Sequence, residues 1–162
     1  MVSIRVPFFR QHSYYTCGPV VLEMVYRFFG MKASEKSLVR ELKTSRKKGT
    51  GHRAIINSAR KHGFYCFVHD NSSISQIKHF LFKGFPVIIN YIEPSNDEGH
   101  YAVAIGFTKK HIILNDPWDG KDFRISFDDF LERWHDNDNH HKNWLMIITK
   151  KKLNLGRQYG PL

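Results

Sequence analysis

The apolar pattern changes period near residue 63, and this change limits the folds open to the chain more than any other feature. Before it, apolar residues recur at helical spacing. Residues 17 to 29 carry Val21, Leu22, Val25, Phe28 and Phe29 on one face and stop at Gly30. Residues 34 to 43 form a second predicted helix, with Ser34 as N-cap and Leu38, Val39 and Leu42 turned inward. A basic, glycine-containing loop over 44 to 51 leads to a third, 52 to 62, with Ile55, Ile56 and Ala59 on one side and Gly63 as its stop. After Gly63 the runs become β-rich: 64 to 69, 86 to 92, 100 to 108, 111 to 116 and 144 to 149. Two helices interrupt them. One opens at the capping box Ser73 and Gln76 and runs to about residue 83; the other is capped by Ser126 and holds Phe127, Phe130, Leu131 and Trp134. Helices first and mostly strands afterwards predict an α+β fold with an antiparallel sheet. With 162 residues and no repeat or low-complexity linker, the chain fits one domain, 1–150, followed by a basic tail, 151–162, expected to be mobile.

Two cysteines, Cys17 and Cys66, are too few for a disulfide framework. Cys66 lies in the aromatic run Phe64-Tyr65-Cys66-Phe67-Val68 and reads as a small buried residue of a strand. No apolar run is long enough to cross a membrane, and the first residues carry no apolar signal region, so a cytoplasmic location is expected. The net charge of +10 raises nucleic acid as a partner. Its lysine clusters, at 46–48, 109–110 and 150–152, fall in predicted turns and the tail, and no nucleic-acid motif accompanies them. Solvated surface accounts for them, and nucleic acid is not the expected partner.

Cys17 stands in a different setting. Thr16-Cys17-Gly18-Pro19 reads as a turn into a helix, where free N–H groups and the macrodipole favour a thiolate. Gly18 would leave room for a substrate carbonyl, and Pro19 suits a first helical turn. A base is offered by His100, at the start of a strand in Gly99-His100-Tyr101. Asp116, in Asn115-Asp116-Pro117-Trp118, ends the next strand and could hold one tautomer of that histidine, with Trp118 covering the pair. Gln11, just upstream of Cys17, could join the Cys17 N–H in an oxyanion hole.

Taken together, Gln11, Thr16-Cys17-Gly18-Pro19, Gly99-His100-Tyr101 and Asn115-Asp116-Pro117-Trp118 resemble the signature of the bacteriocin-processing cysteine peptidases. These are the double-glycine leader peptidases at the front of some ABC exporters, with free-standing relatives. The resemblance spans about residues 7 to 118, with a family-like strand at 144 to 149. It implies a papain-like fold and thioester chemistry without a metal or organic cofactor. Gln11, Cys17, His100 and Asp116 would hold the family's four roles, and a peptide or protein would be the substrate. It also admits a separate exporter as partner, since this sequence carries neither membrane segments nor an ATPase.

Other readings stay open beside this one. The same residues would serve a papain-like amidase or an acyl or peptidyl transferase, and a cleft without turnover would make a peptide-binding module. Asn115 competes with Asp116, because papain-like sites can use Asn and adjacent strand residues face opposite ways. A regular hairpin through Lys109-Lys110 would put Asp116 on the face opposite His100. One extra residue is therefore predicted there, with Gly106 as a bulge site because glycine tolerates unusual dihedrals, or an odd-length loop including Thr108 or His111. The segment His135-Asp136-Asn137-Asp138-Asn139-His140-His141 is rich in metal-type ligands but lacks fixed spacing, and reads as a solvated loop.

Overall fold

The protein is described by a computed structural model covering residues 1–162. Five helices pack on a seven-stranded, wholly antiparallel sheet. The helices are α1 (Cys17–Phe28), α2 (Glu35–Glu41), α3 (His52–Lys61), α4 (Ile74–Phe82) and α5 (Phe127–Arg133). The strands are β1 (Val2–Ser3), β2 (Tyr65–His69), β3 (Val87–Ile92), β4 (Gly99–Phe107), β5 (His111–Asp116), β6 (Gly120–Ser126) and β7 (Leu145–Thr149). Their order is β2-β7-β3-β4-β5-β6, with β1 added to β4.

Both faces of the sheet are covered. Tyr101, Val103 and Ile105 of β4 pack with α1, α2 and α3, while Ala102 and Ala104 pack with residues of α4 and α5. Two covered faces explain why the central strands read as continuous apolar runs instead of alternating ones. The local signals act as expected: the Ser34 and Ser126 hydroxyls accept from Ser37 N and Asp129 N, and Ser73 and Gln76 form the full capping box.

Two strands have no counterpart in the sequence reading. β6, at the sheet edge, has mostly polar residues with only Gly120 and Ile125 buried, so its apolar signal is weak. β1 has two residues and exists only through its pairing with Phe107 and Gly106. Residues 151–162, expected as a mobile tail, are drawn back over β2. Cys66 and Tyr159 exchange both backbone hydrogen bonds at 2.9 Å, and Arg60 Nε donates to Gly160 O at 2.7 Å.

The β4–β5 hairpin carries the irregularity that parity demands. Its two-residue turn, Lys109-Lys110, lets Phe107 pair with Ile112 and Gly106 with Ile113. Ala104 then pairs with Leu114 and Val103 with Asn115, so Ile105 is the extra residue. The reason for glycine at 106 differs from the one expected. Its φ lies outside the left-handed region, and a Cβ there would sit 2.3 Å from the Val2 carbonyl oxygen. Gly106 thus admits the N-terminal strand, and Ile4 N satisfies the bulged Ile105 carbonyl at 2.7 Å.

Candidate active site

The bulge decides what β4 and β5 present to each other. With Val103 opposite Asn115, Asp116 falls beside Ala102, on the face that His100 also occupies. His100 Nε2 and Asp116 Oδ1 are 2.6 Å apart, and the two side chains are 5 % and 0 % exposed. Asn115 points the other way, where its Nδ2 donates to Val6 O at 3.0 Å. It ties the N-terminal segment to the sheet and makes no contact with His100.

Asp116 Oδ1 also accepts from the backbone N–H of Trp118 at 2.9 Å and of Asp119 at 3.0 Å, and the Tyr91 hydroxyl donates to Oδ2. Burial pushes the Asp116 carboxyl up, but the His100 charge and these donors hold it below its ordinary value. Tyr91 is fully buried and stands opposite His100 in the β3–β4 register. It closes the pair from the core, while Trp118, the residue expected to cover it, is 40 % exposed at the cleft rim. The sequence carries no signal for Tyr91, because register across β3 and β4 is set by pairing and not by spacing.

Cys17 is the first residue of α1 and is partly exposed. The Thr16 hydroxyl binds Ser13 and does not cap the helix, and Pro19 has no N–H, so the first turn keeps free donors at Cys17 and Gly18. Gly18 is required by packing: a Cβ there would lie 2.6 Å from the Thr50 side chain. That contact is a reason for glycine here beside the space for a substrate carbonyl expected from the sequence. With Nε2 of His100 taken by Asp116, Nδ1 is the nitrogen left free, and His100 and Cys17 line the same cleft close enough for their charges to act on each other. Burial pushes the Cys17 thiol up; the charge of the neighbouring His100 imidazolium and the Tyr101 backbone outweigh it and leave the thiol below its ordinary value. Burial likewise pushes His100 down, but the Cys17 thiolate and the Asp116 carboxylate leave it well above. The two shifts run in opposite directions, as a thiolate–imidazolium pair requires. Cys66 differs: burial pushes its thiol up to about 12.

Gln11 is buried beside them. Its Nε2 donates to Ser13 O at 2.7 Å, which uses one of two amide protons, and its Oε1 has no partner. Gln11 N donates to Pro117 O at 3.0 Å and Arg10 donates to Trp118 O at 2.8 Å. These bonds tie the loop before the cysteine to the loop after the aspartate. Gln11, Cys17, His100 and Trp118 line one cleft of about 750 Å³, together with Tyr14, Tyr15 and the 47–52 loop. All four residues singled out in the sequence therefore meet at one place.

Solved structures show the same fold. The chain matches the peptidase domain of Streptococcus ComA, a bi-functional ABC transporter involved in a quorum-sensing pathway, with a TM-score of 0.72 and 24% identity over 91% of this chain and 100% of that one. It matches a double-glycine-motif protease of an AMS/PCAT transporter, solved with its leader peptide, with a TM-score of 0.72 and 22% identity over 91% and 93% of the two chains. A protein from Bacillus anthracis described as C39-like aligns with a TM-score of 0.75 and 16% identity over 94% and 100%. No curated protein matches the sequence. No helix is long and apolar enough to cross a membrane. The model of the Peptidase_C39 like family matches residues 3–141, which takes in Gln11, Cys17, His100 and Asp116, and the chain therefore belongs to that peptidase family.

Proposed function

We propose that the protein is a cysteine peptidase that cleaves a peptide bond through a thioester on Cys17, with leader-like peptides as its substrate class. The observation that carries this reading is the buried His100, held between Asp116 and Cys17 at the wall of an open cleft. The thiolate attacks the scissile carbonyl carbon, a C–S bond forms and the oxygen becomes an oxyanion. The Cys17 N–H and the second amide proton of Gln11 are the donors offered to that oxygen. His100 passes its proton to the leaving nitrogen as the C–N bond breaks. Water then gives a proton to His100 and attacks the thioester, and the thiolate departs. The leader-like substrate class is supported by the AMS/PCAT relative solved with its leader peptide.

The direct test is alkylation. Brief iodoacetamide treatment near neutral pH should label Cys17 alone, and the labelling rate should persist below the pH at which an ordinary thiol slows. Both signs follow from a Cys17 thiol shifted down and a Cys66 thiol near 12. Peptide mapping by mass spectrometry reads the outcome, and preferential labelling of Cys66 would overturn the assignment. Labelled protein should also fail to cleave any member of a peptide library that the free protein cuts.

Gln11→Ala separates the oxyanion role from structure. Loss of one such donor costs on the order of 10²-fold in kcat, with KM much less affected. Because the Gln11 backbone N–H holds Pro117 O, that tether survives the substitution. Activity close to wild type in a folded Gln11→Ala protein removes the side chain from the site.

A further inference from the structure

We propose that His52, Asp136 and His141 form a binding site for a divalent transition metal of the zinc type, which straps the 135–142 loop to the start of α3 at the cleft wall. One potential ligand atom from each of the three residues lies within 4.8 Å of the other two. The sequence marked 135–141 as rich in ligands but without spacing. The third ligand comes from a helix far upstream, which only the fold brings near.

The surroundings of each residue favour a metal. Metal-binding histidines ordinarily give their second nitrogen to a carboxylate, a carbonyl or another polar group, which orients the ring. His141 Nδ1 lies 3.0 and 3.1 Å from the two Asp70 carboxylate oxygens, which leaves Nε2 to bind. His52 Nδ1 is hydrogen-bonded to the Tyr101 hydroxyl, which leaves its Nε2. The His52 ring is further fixed by stacking on the buried Trp144, with centroids 4.1 Å apart and planes at 6°. Asp136 Oδ1 accepts from His140 N at 2.8 Å, and Oδ2 remains. The loop is closed on itself by the His135–Lys142 bridge and by Asp136 N donating to His141 O at 3.2 Å, so two of the ligands face each other across a small hairpin.

Two imidazoles and one carboxylate suit zinc and its neighbours over calcium or magnesium, and leave a fourth position for water. Tetrahedral bonds of about 2.0–2.1 Å set ligand atoms roughly 3.4 Å apart, so the residues need close by little over an ångström at most. A metal here would act on the cleft. Asp136 and Asn137 line it, and Asn137 Oδ1 accepts from Gly99 N at 2.9 Å, next to His100. Neither Cys17 nor His100 belongs to the site, and the proposal stands apart from the peptidase reading.

The test uses the full chain stripped with chelator and exchanged into chelator-free buffer. Zinc chloride is titrated calorimetrically near neutral pH, and cobalt chloride is followed by its visible absorption. A single equivalent should bind at micromolar metal, cobalt should show the intense bands of four-coordination, and zinc should raise Tm. His141→Ala and Asp136→Asn should each weaken zinc binding by about tenfold or more, while Cys17→Ala leaves it unchanged. Both variants sit on a partly exposed loop, and an unchanged circular dichroism spectrum confirms that they fold. No stoichiometric binding, binding indifferent to both loop variants, or binding lost in Cys17→Ala overturns the site.

Discussion

Cys17→Ala is expected to abolish turnover, with kcat falling by about 10⁵-fold or more on the best-cleaved member of a peptide library. The other cysteine cannot take its place: Cys66 is fully buried in the core, and its thiol is pushed up to about 12. The substitution removes only a sulfur at a partly exposed helix start, so the variant should fold and keep its Tm within a few degrees. It should still bind peptide, because the cleft walls, Gln11 and the free first-turn donors of α1 stay in place. Binding without turnover separates loss of the nucleophile from loss of the site. Residual turnover within about tenfold of wild type would move the nucleophile elsewhere and remove the thioester from the mechanism. In the wild-type enzyme kcat/KM should follow a bell in pH. The acid limb rises as Cys17 ionises, at a pH below that of an ordinary thiol. The alkaline limb falls as His100 loses its proton, well above the ordinary histidine range.

Asp116→Ala is expected to damage stability and catalysis together. The carboxylate serves His100, the Tyr91 hydroxyl and the N–H groups of Trp118 and Asp119, and it is wholly buried. Its removal leaves several buried donors and an imidazolium without partners, a change that costs about 3–5 kcal/mol. His100 also loses the group that orients it, and a catalytic group displaced by about 1 Å costs on the order of 10²-fold in kcat. Asp116→Asn separates the two effects. An amide oxygen can still accept from His100 and from the two backbone donors, while Tyr91 can turn its hydroxyl to accept from the new NH₂. Most of the stability should return. The alkaline limb of the pH profile should move down, because the charge that raises His100 is gone.

The linkage has a definite sign. Asp116 is held below its unfolded value, so its contribution to stability is present above that value and is lost as pH falls through the folded one. His100 is held above its unfolded value, so its contribution is present below that value and is lost as pH rises through the folded one. Chemical denaturation at several pH values measures both. An Asp116→Ala protein with wild-type stability and activity would show that His100 is oriented by something else.

Much of this was legible because it is local. Ser34, Ser73 with Gln76, and Ser126 mark helix starts through bonds to residues three positions on, and such short-range geometry is written in the spacing. Helical spacing in 17–29 and the apolar runs at 86–92 and 144–149 announce their elements, since burial on a face or on both faces leaves a period. The order Gln11, Cys17, His100, Asp116 carried the family resemblance, and strand parity alone showed that a regular hairpin could not seat Asp116 beside His100. What the tertiary structure decided are contacts between distant segments. Ile105 became the extra residue because Ile4 and Val2 close against β4, and Gly106 is glycine because the Val2 carbonyl needs its space. Gly18 answers to Thr50, and Asn115 was assigned to the N-terminal segment by Val6. Tyr91 reached Asp116, and His52 reached Asp136 and His141, through sheet register and layer packing. Tail residues 159–162 found β2 and α3 through backbone bonds at Tyr159 and Leu162 and one from the Arg60 side chain to Gly160 O, partners that lie about a hundred residues upstream. Backbone pairing and close packing depend on which surfaces the whole chain brings together, and no single stretch of sequence records that.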